Sequence, residues 1–251
     1  VEVGILLAVL MLVPLGAGAH RGVMRFLTYQ TLAVPFILIA GWFIIGAEVQ
    51  VGNTQDILRA AIFLGFGFAF QLGIFPLHSW IPMLMEESHP YVTAFVLTIL
   101  ISTGLFFGVG FLQTYSWQQE SVDVFGILRL LGMLMVIVGG GWAAFQRHLG
   151  RIFGYAVILE VGRTLLAISL PQGTQIFFAL SLVRIVTFGV WALALSIIYT
   201  YSTQLRYSAV QGMGRQFPIA TAGLILANFS LVGLPLLAGF PVYLVLWEEL
   251  A

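Results

Sequence analysis

Apolar runs of about twenty residues follow one another along this chain, separated by short polar connections. A helix needs roughly 20 apolar residues to cross the hydrocarbon of a bilayer. The pattern supplies about eight such runs: 3–19, 23–46, 56–75, 91–112, 124–144, 151–170, 174–200 and 217–246. The short alternating strands of a membrane β-barrel do not occur in it, and the bilayer leaves helices as the alternative. The predicted fold is therefore all-α, a polytopic transmembrane helical bundle with about eight spans, read as a single transmembrane domain over 1–251. The first run resembles its neighbours closely enough to read as a span and not as a cleaved signal.

Two of the runs are interrupted. In "FQLGIFPLHSWIPMLMEESHP" (70–90), Pro76, Pro82 and Pro90 disturb helical hydrogen bonding within 15 residues. In "LVGLPLLAGFP" (231–241), Pro235 and Pro241 stand among Gly233 and Gly239. Breaks are thus expected near 76–90 and 233–241. Unpaired backbone at membrane depth is tolerated only where protein or a water-filled cavity satisfies it. Broken helices in two separated parts of one bundle are a pattern of ion and solute transporters. Proline and glycine are common in membrane helices generally, so the clustering carries the reading, not any one proline.

Composition strengthens the membrane assignment. Hydrophobic residues make up 60% of the 251 and charged residues 8%, against roughly 25% charged in soluble domains. A net charge of +0 gives no electrostatic footprint for nucleic acid. The absence of cysteine excludes disulfides and thiolate ligation of haem or iron–sulfur clusters. All ten basic residues are arginine. If the spans alternate, Arg21, Arg25, Arg147, Arg151, Arg206 and Arg215 share one face with the 76–90 stretch. Arg59 and Arg129 lie near the other, with Glu48, Asp56, Glu120 and Asp123. The positive-inside rule makes the arginine-rich face cytoplasmic or matrix-facing.

Ionisable residues inside spans are costly, and each is a site hypothesis. Glu160 and Arg163 in "YAVILEVGRTLL" share a helical face, as a structural ion pair or as part of a charge-transfer route. His78 follows the first break. It serves either as a proton relay, given an ordinary pKa near 6.5, or as a donor to a carbonyl freed by Pro82. Arg184 stands alone in "FFALSLVRIVTFGVW". His148, between Arg147 and Arg151, reads as interfacial, and Glu86 and Glu87 as part of a short surface helix. No phosphate loop, metal-ligand cluster or nucleophile–base pair occurs in the sequence, so no catalytic residue and no metal site are predicted.

Three ordered stretches, "FQLGIFPLHSWIPMLMEESHPYVTAF", "LGRIFGYAVILEVGRTLL" and "GMGRQFPIATAGLILANFSLVGLPLLAGF", cover most of 65–240. They resemble the antiporter-like membrane subunits of complex I and the Mrp antiporters. In that family a broken helix carries a lysine just before Pro-Phe-His-x-Trp-x-Pro, and a Gly-Met-Gly-Arg run leads to Leu-x-Gly-Leu-Pro-Pro-Leu-Ala-Gly-Phe. The resemblance places this chain over the fifth to twelfth of about fourteen helices, with the broken runs as the seventh and twelfth, related by an inverted repeat. The earlier helices and the last two would lie outside it.

In the resemblance, a row of lysines and a glutamate–lysine pair pass protons along the membrane midplane. Here Gln71 aligns with the first lysine, Ile101 or Ser102 with the central one, and Tyr243 with the charged residue after the second break. Glu160 stands at a histidine or polar position, Arg163 at a tyrosine, and Glu2 is a poor match to the family's glutamate. The candidate proton or charge path is thus His78, Glu160, Arg163, Arg184, Gln71 and Tyr243. The family implies a membrane subunit of a complex I-like, NADH:quinone oxidoreductase-type respiratory assembly, acting as scaffold or as a modified proton route. It implies no cofactor on this chain, with quinone, flavin and iron–sulfur clusters in partner subunits. The expected partners are other membrane subunits and lipids, with no nucleic acid, in a bacterial plasma membrane or mitochondrial inner membrane. The alternatives are an autonomous secondary transporter using Glu160, Arg163 and Arg184, and a structural adaptor in another electron-transfer complex. A transporter would keep water-lined cavities at its breaks; a scaffold would fill them with Phe and Leu.

Overall fold

The computed structural model describes residues 21–49, 54–114, 123–202 and 204–250, with isolated positions 4, 7 and 12. The predicted span 3–19 falls almost wholly outside the described residues, as do Glu2 and Glu120. Helices follow in the order α1 (Arg21–Val49), α2 (Thr54–Leu72), a 3-10 turn (Leu77–Ser79), α3 (Trp80–Glu87), α4 (Pro90–Thr114), α5 (Val124–Ala144), α6 (Leu149–Ile168), α7 (Gly173–Ser202), α8 (Met213–Gln216), α9 (Pro218–Val232) and α10 (Phe240–Leu250). Among the described residues the architecture is all-helical, with one isolated antiparallel bridge between His148 and Arg206. Among the described residues, five segments are long and apolar enough to cross a membrane: 21–46, 55–87 with its break, 90–114, 124–144 and 173–202.

The two breaks are built alike. α2 ends at Gly73 (φ +64) and α9 at Gly233 (φ +81), both in the left-handed region that only glycine enters cheaply. Ile74 N–H donates back to Ala69 O at 3.0 Å and Leu77 N–H to Ile74 O at 2.7 Å. At the second break Leu234 N–H donates to Phe229 O at 3.0 Å and Leu237 N–H to Leu234 O at 3.2 Å, position for position. Side chains from other helices take up carbonyls at the two helix ends. Gln30 Nε2 donates to Gln71 O at 3.1 Å, and Arg163 Nη1 to Leu231 O at 2.5 Å.

The prolines act differently from expectation. The first break falls at Gly73, ahead of Pro76, because the left-handed glycine has already ended α2. Pro82, Pro90 and Pro241 interrupt nothing: each lies in the first turn of a new helix. The N–H groups of that turn have no intrahelical acceptor, so proline costs no hydrogen bond there. The helix predicted over 56–75 is accordingly 54–72, and the run 217–246 is two half-helices, α9 and α10.

Nor is α3 a surface helix. Trp80, Ile81, Leu84 and Met85 are all 0% exposed, while Met83 and the carboxylates reach an edge. Glu87 Oε2 accepts from Gly22 N–H at 2.6 Å, and Arg151 donates to Glu86 Oε2 at 2.5 Å. The break thereby clamps α1 and α6 to one end of the bundle. α5 and α6 approach backbone to backbone, since a Cβ on Gly162 would lie 2.8 Å from Gly132 O.

Candidate functional site

Where α4, α6, α7, α9 and α10 meet, the apolar interior holds a polar row. Glu160 on α6, 1% exposed, is its only carboxylate among the described residues. Arg163 Nη1 donates to Glu160 Oε1 at 2.7 Å, and the Tyr243 hydroxyl of α10 donates to the same oxygen at 3.1 Å. The Arg163 guanidinium lies 4.3 Å from the centre of the Tyr243 ring, a cation–π contact. Local helix geometry explains the pair, since residues three apart share a face. The break explains the rest, because α9 ends beside Arg163 and offers it the Leu231 carbonyl.

Arg184 on α7, 2% exposed, has hydroxyl partners in place of a carboxylate. It donates to Thr164 Oγ1 at 3.1 Å, Ser102 Oγ at 3.2 Å and Ser181 Oγ at 3.4 Å. Thr187 and Ser230 hydroxyls continue the row at 3.4 Å. Two guanidiniums thus share one carboxylate in this core, and the Nε atoms of both arginines have no partner. The cavity beside Arg184, lined by Leu97, Ile101, Val157 and Phe188, measures about 10 Å³, no more than one water needs. Beside the first break lies a larger cavity of about 390 Å³, walled by Leu64, Phe68, Leu72, Leu105, Leu131 and Leu165.

Of the six path candidates, Glu160, Arg163, Arg184 and Tyr243 stand in this row. Gln71, at the end of α2, packs against α4, its side-chain amide coming within 3.4 Å of the place a Cβ on Gly104 would take, and its carbonyl accepts from Gln30. His78 is apart, half-buried in the turn after the first break and stacked on Phe75 at 5.7 Å between ring centres. The hydroxyls of Thr164, Ser181, Thr187 and Ser230, and the amide of Gln30, carry no motif that marks them in sequence. Thr164 and Ser181 back-bond to the carbonyls of Glu160 and Phe177 at 2.7 and 2.8 Å, the usual way a hydroxyl is carried in an apolar helix.

His148 stands half-buried at the N-cap position of α6, outside the five long apolar segments, with Glu86, Arg151 and Arg206 around it. Burial holds its imidazole below the ordinary histidine range; Glu86 opposes that shift, and Arg151 and Arg206 reinforce it. A lowered folded-state pKa favours the fold above the unfolded value near 6.5 and is lost as pH falls below it. Thermal stability is expected to drop as pH falls below about 6.5, less steeply in His148→Gln. Equal slopes for the two proteins would remove His148 from the explanation.

A family model described as "NADH:quinone oxidoreductase/Mrp antiporter, TM" matches residues 16–249. NADH-quinone oxidoreductase subunit 13 of Thermus thermophilus is 28% identical over 244 residues, covering 90% of this chain and 51% of the relative. NADH-quinone oxidoreductase subunit N of Chlorobium chlorochromatii is 29% identical over 194 residues, covering 73% of this chain and 37% of the relative. The chain thus spans about half, or less, of the length of these curated relatives. Among solved structures, the membrane-bound sulfane sulfur reductase, an archaeal respiratory membrane complex, aligns at TM-score 0.90 and 19% identity over 100% of this chain and 54% of its own. Respiratory complex I from Thermus thermophilus aligns at 0.80 and 23% over 99% and 56%, and the Mrp complex from Dietzia sp. at 0.84 and 18% over 99% and 49%. These likenesses establish the fold, and with a family match running from residue 16 to 249, the chain belongs to the NADH:quinone oxidoreductase/Mrp antiporter transmembrane family.

Proposed function

We propose that this chain is an antiporter-like membrane subunit of a complex I-type respiratory assembly, in which a fixed charge cluster stands where a titrating lysine row would run. The observation that carries the reading is the Arg184–Ser102 contact at 3.2 Å. Ser102 is one of the two positions that align with the family's central lysine, and the guanidinium reaches it from α7. Arginine stays protonated and cannot cycle a proton, while Gln71 has none to give. A permanent positive charge in a narrow apolar passage also repels a hydrated proton. The small cavity beside Arg184 and the apolar walls of the larger one, which offer water no hydrogen-bond partners, favour a scaffold over an autonomous transporter.

In this reading the eight predicted runs all cross the bilayer as one domain, α9 and α10 together making one crossing. The end bearing Arg25, Arg151 and Arg206 faces the cytoplasm or matrix, and quinone, flavin and iron–sulfur clusters belong to partner subunits. The test is the proton-to-electron stoichiometry of the reconstituted assembly carrying Gln71→Leu. The expected result is an unchanged ratio. Loss of pumped protons with electron transfer and assembly intact would show that the position still carries protons, and would overturn the silenced-route reading.

A further inference from the structure

At the arginine-rich end of the bundle, apart from the buried row, a polar cavity of about 310 Å³ lies between Glu86, Ser88, His148, Tyr199, Gln204 and Arg206. Its walls are held by backbone. His148 and Arg206 form an antiparallel bridge, Leu149 N–H donates to Leu205 O at 2.8 Å, and Tyr207 N–H donates to Arg147 O at 3.0 Å. The cavity is rich in hydrogen-bond donors that the protein leaves unused. Ser88 is only 7% exposed, and its hydroxyl, like the buried His148 Nδ1, has no partner. Among the described residues Arg206 makes no ion pair; it is exposed, lines the space, and its charge acts on His148 across it. Glu86, the one carboxylate present, is already engaged by Arg151 at 2.5 Å.

Buried polar groups are normally satisfied, so two buried donors without a protein partner beside one cavity call for an explanation. Here the partner must bring acceptors. Arg151 and Arg206 against Glu86 leave one net positive charge, which one phosphodiester anion balances. A guanidinium fork beside hydroxyl and imidazole donors is suited to phosphoryl oxygens. The cavity also lies at the ends of α3 and α7, where a chain spanning the bilayer meets lipid headgroups. We propose that this cavity binds a phosphoryl group, either the headgroup of an anionic phospholipid or free phosphate. Arg206, the Ser88 hydroxyl and His148, in the tautomer protonated on Nδ1, are its donors.

The full chain in phosphatidylcholine nanodiscs, titrated with phosphatidylglycerol, and the delipidated chain in detergent, titrated with inorganic phosphate, test this. The readouts are the thermal midpoint and hydrogen exchange over residues 204–210. At least one probe is expected to give saturable protection. Arg206→Gln should weaken it by roughly tenfold, the loss of one charge-assisted hydrogen bond to phosphate. Ser88→Ala should weaken it severalfold, and Arg215→Gln, on the same face but outside the cavity, should leave it unchanged. Saturation by phosphatidylglycerol with phosphate inert assigns the lipid headgroup; saturation by phosphate alone assigns the free ion. Two results would overturn the proposal: no saturable response to either probe, leaving a cavity that holds water only, or an equal loss in Arg215→Gln, leaving only diffuse attraction to a basic face.

Discussion

Glu160→Gln is expected to destabilise the bundle by about 3–5 kcal/mol, the usual cost of removing one partner from a buried ion pair. The substitution keeps shape and an acceptor oxygen, so Arg163 and Tyr243 can still donate to it. What it removes is, among the described residues, the only carboxylate in a core with two guanidiniums, and neither can escape to solvent at its depth. Purified in nanodiscs, the variant should unfold at clearly lower temperature and accumulate poorly. Glu160→Gln combined with Arg163→Met should regain much of the loss, since the uncompensated charge next to it goes too. Wild-type stability in Glu160→Gln alone would count against a stabilising pair.

The opposite sign is expected at Arg184. Replacing it with methionine removes a buried cation whose direct partners are all hydroxyls. Thr164 and Ser181 keep their backbone acceptors after the change. A buried charge carries a desolvation penalty of several kcal/mol, which hydroxyl partners offset less fully than a carboxylate does, so the exchange is expected to be stabilising. At this size each kcal/mol raises Tm by roughly 2–4 °C. A rise in Tm would mean that the fold does not need Arg184, leaving its charge to serve function. A fall would show that the hydroxyl cage and Glu160 compensate the guanidinium fully.

Sequence and structure agree most closely where one local rule decides. The Glu160–Arg163 contact follows from helical spacing alone, and the two breaks follow from clustered proline and glycine. The cause of the first break was hidden, because Gly73 looks like any glycine of an apolar run until its backbone turns left-handed. The prolines were more conspicuous, yet three of them only start helices. The reach of Arg184 to Ser102, Thr164 and Ser181 was the least legible feature. It depends on how three helices pack, and no spacing within a single segment encodes that. His78 shows the converse. Its motif is conspicuous, yet the fold sets it apart from the row.

The anchoring of the two arginines has an electrical consequence. A charge that travels through the whole membrane potential exchanges about 2.3 kcal/mol of work per 100 mV with it. Voltage sensors exploit this by letting arginines slide. Here Arg163 is fastened to a carboxylate and a backbone carbonyl, and Arg184 to hydroxyls on α4, α6 and α7. Neither can be displaced without breaking several of these bonds at once. The potential therefore does almost no work on them, and they act as a stationary plate of charge that shapes the field felt by any ion moving nearby.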